Sequence, residues 1–181
     1  MTDADILDTG RFRLRPLRED SDKDRTLYCA LYTSPGVMAR IMPPLSMAAA
    51  GRLYERALQW ARSDRPGHRF WMIDSRIDGA AIGVAGYVRR GAEAEIGVLL
   101  VEPWWQRGVS SEVFVPLIAH GFERMGLTLV TAERPDDDHA RVIDRLLGRF
   151  GFVRTPDRAS APGQCRWELP CSAWKARQPA V

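Results

Sequence analysis

A strand that carries a carboxylate, followed by a glycine-containing turn and a helix, is the part of this sequence with the most chemical information. It runs from Glu95 to Glu112. A helix N-terminus leaves backbone N–H groups unpaired and carries a partial positive charge, so it can bind phosphate oxygens. Gly108 and the small side chain of Ser110 would let the backbone approach a pyrophosphate closely. The segment therefore predicts a binding site for a phosphorylated ligand.

The residue types around this turn leave other interpretations open. Gln106 and Arg107 add hydrogen-bond donors at its entrance, although Arg107 also fits a solvated surface position. An ordinary strand–turn–helix connection with one glycine also explains the short piece from Gly108 to Ser110. The Walker pattern (GxxxxGK followed by Ser or Thr) and GxGxxG are both absent, which disfavours the common nucleotide-binding folds.

Length and composition are typical of one soluble domain, to which we assign residues 1–181. The chain has 181 residues, of which 45% are hydrophobic and 27% are charged. No apolar run reaches the roughly 20 residues that a membrane-spanning helix needs. The N-terminal segment Met1–Asp5 is acidic, whereas a secretory signal begins with basic residues. We therefore expect a cytoplasmic protein without a membrane partner.

Charge and cysteine spacing argue against nucleic acid and metal as ligands. The net charge is +3, and the cationic side chains are arginines apart from Lys23 and Lys175. These arginines are scattered along the chain instead of clustering with aromatic residues, which is unlike a nucleic-acid-binding face. The three cysteines follow neither a CxxC nor a zinc-ligand spacing. We expect neither a nucleic-acid partner nor a bound metal.

Hydrophobic periodicity predicts an α+β domain with a mixed sheet and helices on both faces. A strand over Arg11–Leu17 precedes two helices, the first over Arg25–Ile41 with an interruption near Ser34–Gly36 and the second beginning after Ser46. Further helices are expected from Ser111 and after Asp136–Asp138. Short turns between strands imply antiparallel pairing, and the strand–helix–strand step after residue 93 implies one parallel crossover. The other predicted strands are Arg69–Ser75, Ala80–Val88, Glu93–Val101, Leu127–Glu133, Phe152–Arg154 and Gln164–Leu169.

Four short motifs, which lie in order between Arg13 and Trp174, resemble those of the GNAT acetyltransferases. The resemblance is greatest to the branch that includes the ribosomal-protein N-terminal acetyltransferases. The motifs are similar to that branch's opening strand, its iGxxg strand, its EIG…WxxGxA-T-E segment and the hydrophobic-Gly-Phe ending of its last helix. They are Leu14–Leu17, Ile82–Gly86, Glu95–Gly97 with Trp105–Glu112, and Phe150–Phe152.

The resemblance implies a fold and a set of cofactor contacts. The fold would be a mixed, mostly antiparallel seven-stranded sheet, splayed between its fourth and fifth strands where acyl-CoA enters. Backbone groups would hold the pantetheine arm and the pyrophosphate, and Asp138 would stand where the family often has Asn. The implied acyl-CoA contacts are Val98, Leu99, Leu100, Gln106, Arg107, Gly108, Val109, Ser110, Ser111 and Asp138.

The implied activity is direct transfer of an acetyl group from acetyl-CoA to an amine in a ternary complex. Glu95 is our first candidate for the base, although it could instead pair within the sheet, and Glu168 is a second candidate. Many relatives use a Tyr to protonate the leaving thiolate, but no Tyr occurs from Asp136 to Phe152. Water or a hydroxyl such as that of Ser111 would then take this role.

Four aromatic residues are candidates for the acceptor pocket, although simple core packing also explains them. The acceptor could be a small amine, an antibiotic-like amine or a peptide or protein N-terminus. Alternatives are a non-catalytic acyl-CoA-binding sensor or scaffold, and transfer of a longer acyl group. A homodimer is implied by the resemblance alone. The aromatic candidates are Tyr28, Tyr32, Trp71 and Tyr87.

Overall fold

The computed structural model describes residues 5–39, 41–63 and 66–177, which form one sheet with helices on both faces. The sheet contains eight strands in the order β1-β2-β3-β4-β5-β6-β8-β7. Neighbouring strands are antiparallel except β5 and β6, which are parallel. The strands are β1 (Leu7–Asp8), β2 (Phe12–Pro16), β3 (Arg69–Ser75), β4 (Ala81–Arg90), β5 (Glu93–Leu100), β6 (Leu129–Pro135), β7 (Val153–Arg154) and β8 (Gln164–Pro170).

The predicted mixed and mostly antiparallel sheet is confirmed, with one strand more than the seven expected. The additional strand is β1, in which Leu7 pairs with Leu14 of β2. Strand β3 has the predicted bounds, whereas β7 begins one residue later than predicted. The predicted domain range 1–181 extends beyond the described residues at both ends, and residues 1–4 of the N-terminal segment that we described as acidic lie outside them.

Serine caps begin two of the helices on one side of the sheet. Ser21 Oγ accepts a hydrogen bond from Asp24 N at 3.2 Å, and Ser46 Oγ accepts one from Ala49 N at 3.2 Å. A capping hydroxyl satisfies an N–H group that the first helical turn cannot pair internally. The described helices are α1 (Asp22–Thr33), α2 (Pro35–Met38), α3 (Met47–Arg62), α4 (Val109–Glu123), α5 (Ala140–Gly148) and α6 (Cys171–Arg177).

The first predicted helix is divided in two, as the Ser-Pro-Gly sequence in its middle indicated. Helix α1 ends at Thr33 and α2 begins at Pro35, whose fixed φ suits a helix start and whose ring disfavours a continuous helix. Helix α1 begins at Asp22 and α2 ends at Met38, so both predicted bounds, Arg25 and Ile41, are too late by three residues. Helix α6 was not predicted. Within the described ranges, none of the helices combines the length and apolarity that crossing a bilayer would require.

The two faces of the sheet are covered differently. On one face, here called the α4 face, buried side chains of the strands pack with α4 and α5 in a cluster that includes Ile73, Ile96, Val113, Leu117 and Leu147. On the other, here called the α1 face, a second cluster packs α1 and α3 against the sheet through Met72, Val84, Tyr28, Leu31 and Tyr54. Because successive strand residues point to opposite faces, Glu95, Gly97 and Leu99 of β5 lie on the α1 face.

A nearly buried ion-pair cluster attaches α1 to the sheet. Arg15 on β2 donates to both carboxylate oxygens of Asp24 at 2.6 and 2.7 Å and to Asp74 on β3 at 2.6 Å. The Asp24 side chain is only 1% exposed. Burial alone would raise the pKa of Asp24, but the hydrogen bonds and charge of Arg15 hold it below its usual value. The start of α1 is therefore held over β2 and β3.

The predicted splay of the sheet is confirmed between β5 and β6, the fourth and fifth of the strands predicted from the sequence. These strands pair only from Glu93–Glu95 on β5 to Leu129–Thr131 on β6. Beyond that point β5 continues to Leu100 and β6 to Pro135 without pairing to each other. A split therefore opens in the middle of the sheet directly after Glu95.

Candidate active site

The unpaired part of β5 offers backbone groups to the split. Val101 N donates to Ile82 O on β4 at 3.0 Å, so odd-numbered residues at the end of β5 direct their N–H and C=O groups toward β4. Even-numbered residues direct theirs to the opposite side, where β6 has separated. Those residues are Ile96, Val98 and Leu100.

Of the three predicted pantetheine contacts on β5, Val98 and Leu100 face the split and Leu99 does not. The Leu99 carbonyl oxygen points toward β4, where it leaves no room for a Cβ atom at Gly83. Trp105 Nε1 donates to Leu100 O at 2.9 Å, which closes the loop after β5 onto the end of the strand. The loop is thereby fixed at the mouth of the split.

The N-terminus of α4 is free of side-chain caps. The helix begins at Val109, two residues before the predicted Ser111, and its N-cap Gly108 has a left-handed φ of 74° and makes no side-chain cap. Gln106 has a φ of 57° and is the one non-glycine residue with positive φ in the described part of the chain. The tight loop leaves the first N–H groups of α4 without side-chain partners, which is the condition for binding an anion.

A clamp formed by Glu112 holds this loop in place. Its carboxylate accepts hydrogen bonds from Thr9 Oγ1, Arg11 N and Arg11 Nε, each at 2.7 Å. Arg11 Nη1 also donates to Arg107 O at 3.1 Å. Partial burial would raise the pKa of Glu112, but these hydrogen bonds and the Arg11 charge lower it. The sequence motif included Glu112, but its partner lies 101 residues away and could not be identified from the motif.

Two further predicted cofactor contacts are exposed. The Arg107 guanidinium lies 5.4 Å from the centre of the Trp104 ring, in a cation–π arrangement. Asp138 makes no hydrogen bond or ion pair within the described ranges, and it does not cap α5, whose N-cap is His139. Arg107 is thus placed beside the α4 loop, whereas no contact connects Asp138 to it.

Glu95 lies where the split begins. It is the last β5 residue that pairs with β6, opposite Thr131, and its side chain is 33% exposed on the α1 face. Its Oε1 atom is 3.3 Å from Arg134 Nη1 on β6. Glu95 therefore has the cross-strand pairing that we considered as an alternative, and it also remains accessible beside the opening.

Glu168, the second candidate base, is enclosed by cations. It is 8% exposed and accepts hydrogen bonds from Arg166 and Arg158, both at 2.8 Å. Arg166 also binds Glu93 at 3.2 Å and Glu133 at 3.0 Å, so it joins β5, β6 and β8. Glu168 is nearly buried between two arginines, whereas Glu95 remains accessible, which leaves Glu95 as the better candidate.

Tyr28 and Tyr32 are brought together on the α1 face. Their ring centres are 4.7 Å apart. The Tyr28 hydroxyl is fully buried near Tyr32 and makes no hydrogen bond of standard geometry with the described residues. Burial and the neighbouring Tyr32 raise the pKa of Tyr28, so its hydroxyl stays protonated at neutral pH.

Trp71 and Tyr87 lie on the α4 face, across the sheet from Glu95. Tyr87 Oη donates to Leu117 O at 2.9 Å, and Trp71 Nε1 donates to Asp5 O at 2.8 Å. Both side chains are buried in the core. The structure therefore separates these two predicted pocket residues from Tyr28 and Tyr32, in agreement with the core-packing alternative.

Comparisons with known proteins agree with this geometry. The family model for an acetyltransferase (GNAT) domain matches residues 11–153. The uncharacterized N-acetyltransferase YoaA of Bacillus subtilis (strain 168) is 28% identical in an alignment of 161 residues that covers 82% of this chain and 83% of that protein.

Solved structures share the fold over nearly the whole chain. An acetyltransferase from Agrobacterium tumefaciens strain C58 is 24% identical with a TM-score of 0.74, covering 91% of this chain and 93% of its own. RimL, a ribosomal L7/L12 α-N-protein acetyltransferase in complex with coenzyme A, is 15% identical with a TM-score of 0.73, covering 93% and 99%. Together with the family match, the split sheet and its uncapped helix show that this chain belongs to the GNAT family and is an acetyltransferase.

Proposed function

We propose that this protein transfers an acetyl group from acetyl-CoA to an amine by direct transfer in a ternary complex. The main support is that the β5–β6 pairing ends at Glu95. One opening is thereby bordered by free strand backbone and an accessible carboxylate, with the α4 loop at its mouth. Holding donor and acceptor together in such an opening provides most of what acyl transfer between a thioester and an amine needs.

The α4 loop and β5 would hold acetyl-CoA. The N–H groups of Val109, Ser110 and Ser111 bind the pyrophosphate, with Gln106 and Arg107 at the entrance, because they lack other caps and lie at a positive helix end. Gly108 allows the close approach. Along β5, the backbone groups of Val98 and the N–H of Leu100 pair with the pantetheine arm as an added strand would.

The chemistry assigned to this chain is proton removal and carbonyl polarisation. Bound acetyl-CoA supplies the activated acyl group as a thioester. Glu95 takes the proton from the acceptor ammonium, directly or through water. A backbone N–H facing the split, from Val98 or Leu100, polarises the thioester carbonyl. As the carbon–sulfur bond breaks and the amide bond forms, water protonates the thiolate and takes up the second proton that the acylated nitrogen loses.

Release of free thiol from acetyl-CoA tests this function directly. The purified chain is given acetyl-CoA with a panel of polyamines, aminoglycoside-like amines and peptides with free N-termini. We expect thiol release that depends on both the protein and at least one amine, with the acetylated product found by mass spectrometry. Tight acetyl-CoA binding without amine-dependent thiol release would contradict the proposal and favour an acyl-CoA sensor instead.

A further inference from the structure

Gly97 is a glycine that the fold itself does not require. Among the described residues, a Cβ atom placed there would meet no atom within 4 Å apart from the residue's own chain neighbours, and its φ is not positive. At Gly83 and Gly86 on β4, by contrast, a Cβ atom would collide with the backbone of a neighbouring strand. Those two glycines are explained by packing, whereas Gly97 leaves open space above the sheet.

The open space lies on the α1 face next to Glu95. Residues two apart on a strand point to the same face, about 7 Å apart. Gly97 is therefore the next position after Glu95 on that face, and Leu99 follows it. The cross-strand partner of Gly97 is Gly86, so no side chain from β4 fills the space from that side.

The surroundings of this space are apolar. The Phe70 ring covers Gly86, since its Cδ1 atom would be 2.5 Å from a Cβ atom there. Phe70, Leu99 and Tyr32 all pack against the α1-face cluster. Val88 stands opposite Glu95 and is partly exposed. An apolar or aromatic group could lie over Gly97 in contact with these side chains.

The opposite direction from Glu95 is occupied by charge. The preceding residue of β5 on the α1 face is Glu93, which is bound to Arg166 at 3.2 Å. Arg166 is 10% exposed and holds Glu133 as well. An acceptor that displaced these groups would leave nearly buried charges without partners. The free-energy cost would exceed what the acceptor's own contacts could provide. The rest of an acceptor molecule whose amine lies at Glu95 would therefore extend over Gly97.

We propose that Gly97 is the floor of the acceptor pocket and determines how bulky a group the acceptor can carry beside its amine. The preferred acceptor would be an amine attached to an apolar or aromatic group. This inference rests on the proposed function, because it assumes that the amine reacts beside Glu95. Acetyl-CoA contacts the split through the even-numbered backbone of β5, so a side chain at Gly97 changes the acceptor side and leaves the donor side intact.

The test is a series of side chains of increasing size, Gly97→Ala, Gly97→Val and Gly97→Leu. For amines graded by bulk, kcat and KM are measured together with the Kd for acetyl-CoA. We expect the acceptor KM to rise with side-chain size, with kcat/KM for the bulkiest amine falling about 10- to 200-fold in the Leu variant. The smallest amine should be affected least, and acetyl-CoA binding should be unchanged.

Gly148→Leu is the matched control, because a Cβ atom at Gly148 also meets nothing within 4 Å in the part of the chain that the structure describes, and its φ is not positive. It lies at the end of α5 and should leave selectivity unchanged. Unchanged acceptor KM values in the Ala and Val variants, which need the least rearrangement, would overturn the inference even if the Leu variant did not fold. Weakened acetyl-CoA binding across the series would overturn it too, by placing Gly97 on the donor side. A wild-type protein that binds acetyl-CoA but acetylates no amine would instead contradict the proposed function.

Discussion

The proposed donor and acceptor sides of the split are formed by different kinds of group. On the donor side, the backbone of β5 and the N-terminus of α4 present N–H groups, and Glu112 anchors the loop before α4 to Arg11. On the acceptor side, the α1 face presents the side chains of Glu95 and its neighbours. Backbone groups keep their positions when side chains change, whereas a pocket made of side chains changes with each substitution. We therefore expect the donor to be common to relatives of this fold and the acceptor to be particular to this chain.

Replacing the carboxylate at the split should have the largest effect and should affect the acceptor side alone. Glu95→Gln should lower kcat by about 10²- to 10⁴-fold, because the amide cannot take a proton. The Kd for acetyl-CoA should not change. Steady-state kinetics and a binding titration measure the two quantities, and Glu123→Gln at the exposed end of α4 is the control. Unchanged turnover from about pH 6 to 9 would remove Glu95 from the mechanism.

Removing the ion pair that anchors α1 should weaken the acceptor side by lowering the stability of the folded protein. Asp24→Ala leaves Arg15 with one carboxylate partner in a nearly buried position. We expect the free energy of unfolding to fall by about 3 kcal/mol, measured by urea denaturation. Asp22→Ala, in the same helical turn but exposed, should cost far less. Equal losses in the two variants would mean that the ion pair does not anchor α1.

The contribution of Asp24 should also depend on pH. Its pKa in the folded protein lies below the usual 3.8, so the stabilisation is fully present above that value. It is lost as the pH falls through the lowered, folded-state pKa. The difference in unfolding free energy between wild type and Asp24→Ala should therefore be constant near neutral pH and shrink below about pH 4. A difference that grew with acidification would contradict the assigned direction of the shift.

Weakening the clamp should affect the donor side alone and by a smaller factor. Glu112→Gln removes the charge that binds Arg11 and leaves the loop less firmly held. We expect acetyl-CoA to bind about tenfold more weakly, in line with the loss of a charge-assisted hydrogen bond. At saturating acetyl-CoA, kcat and acceptor KM should be retained. Glu123→Gln again serves as the control, and a change in acceptor selectivity would show that the two sides are not separate.

The elements that depend on local signals were predicted well. Strand β3 has its predicted bounds, and Pro35 divides α1 from α2 where a break was expected. The two-residue strand β1 and helix α6 were missed, since short elements carry little periodicity. Near the candidate site, the turn at Gly108 and the helix after it were predicted to within two residues, because glycine and helix-start signals are local.

Sequence alone therefore determined the order of the longer strands and helices, the glycine turn at which we propose that pyrophosphate binds, and the carboxylate that precedes it. Alternation along a strand assigns residues to two faces, but it does not say which helix covers each face. Only the tertiary structure put Trp71 and Tyr87 beneath α4, turned Leu99 toward β4 and left the space above Gly97 open. It also brought Arg11 to Glu112 across 101 residues, because contacts of that range depend on the path of the whole chain.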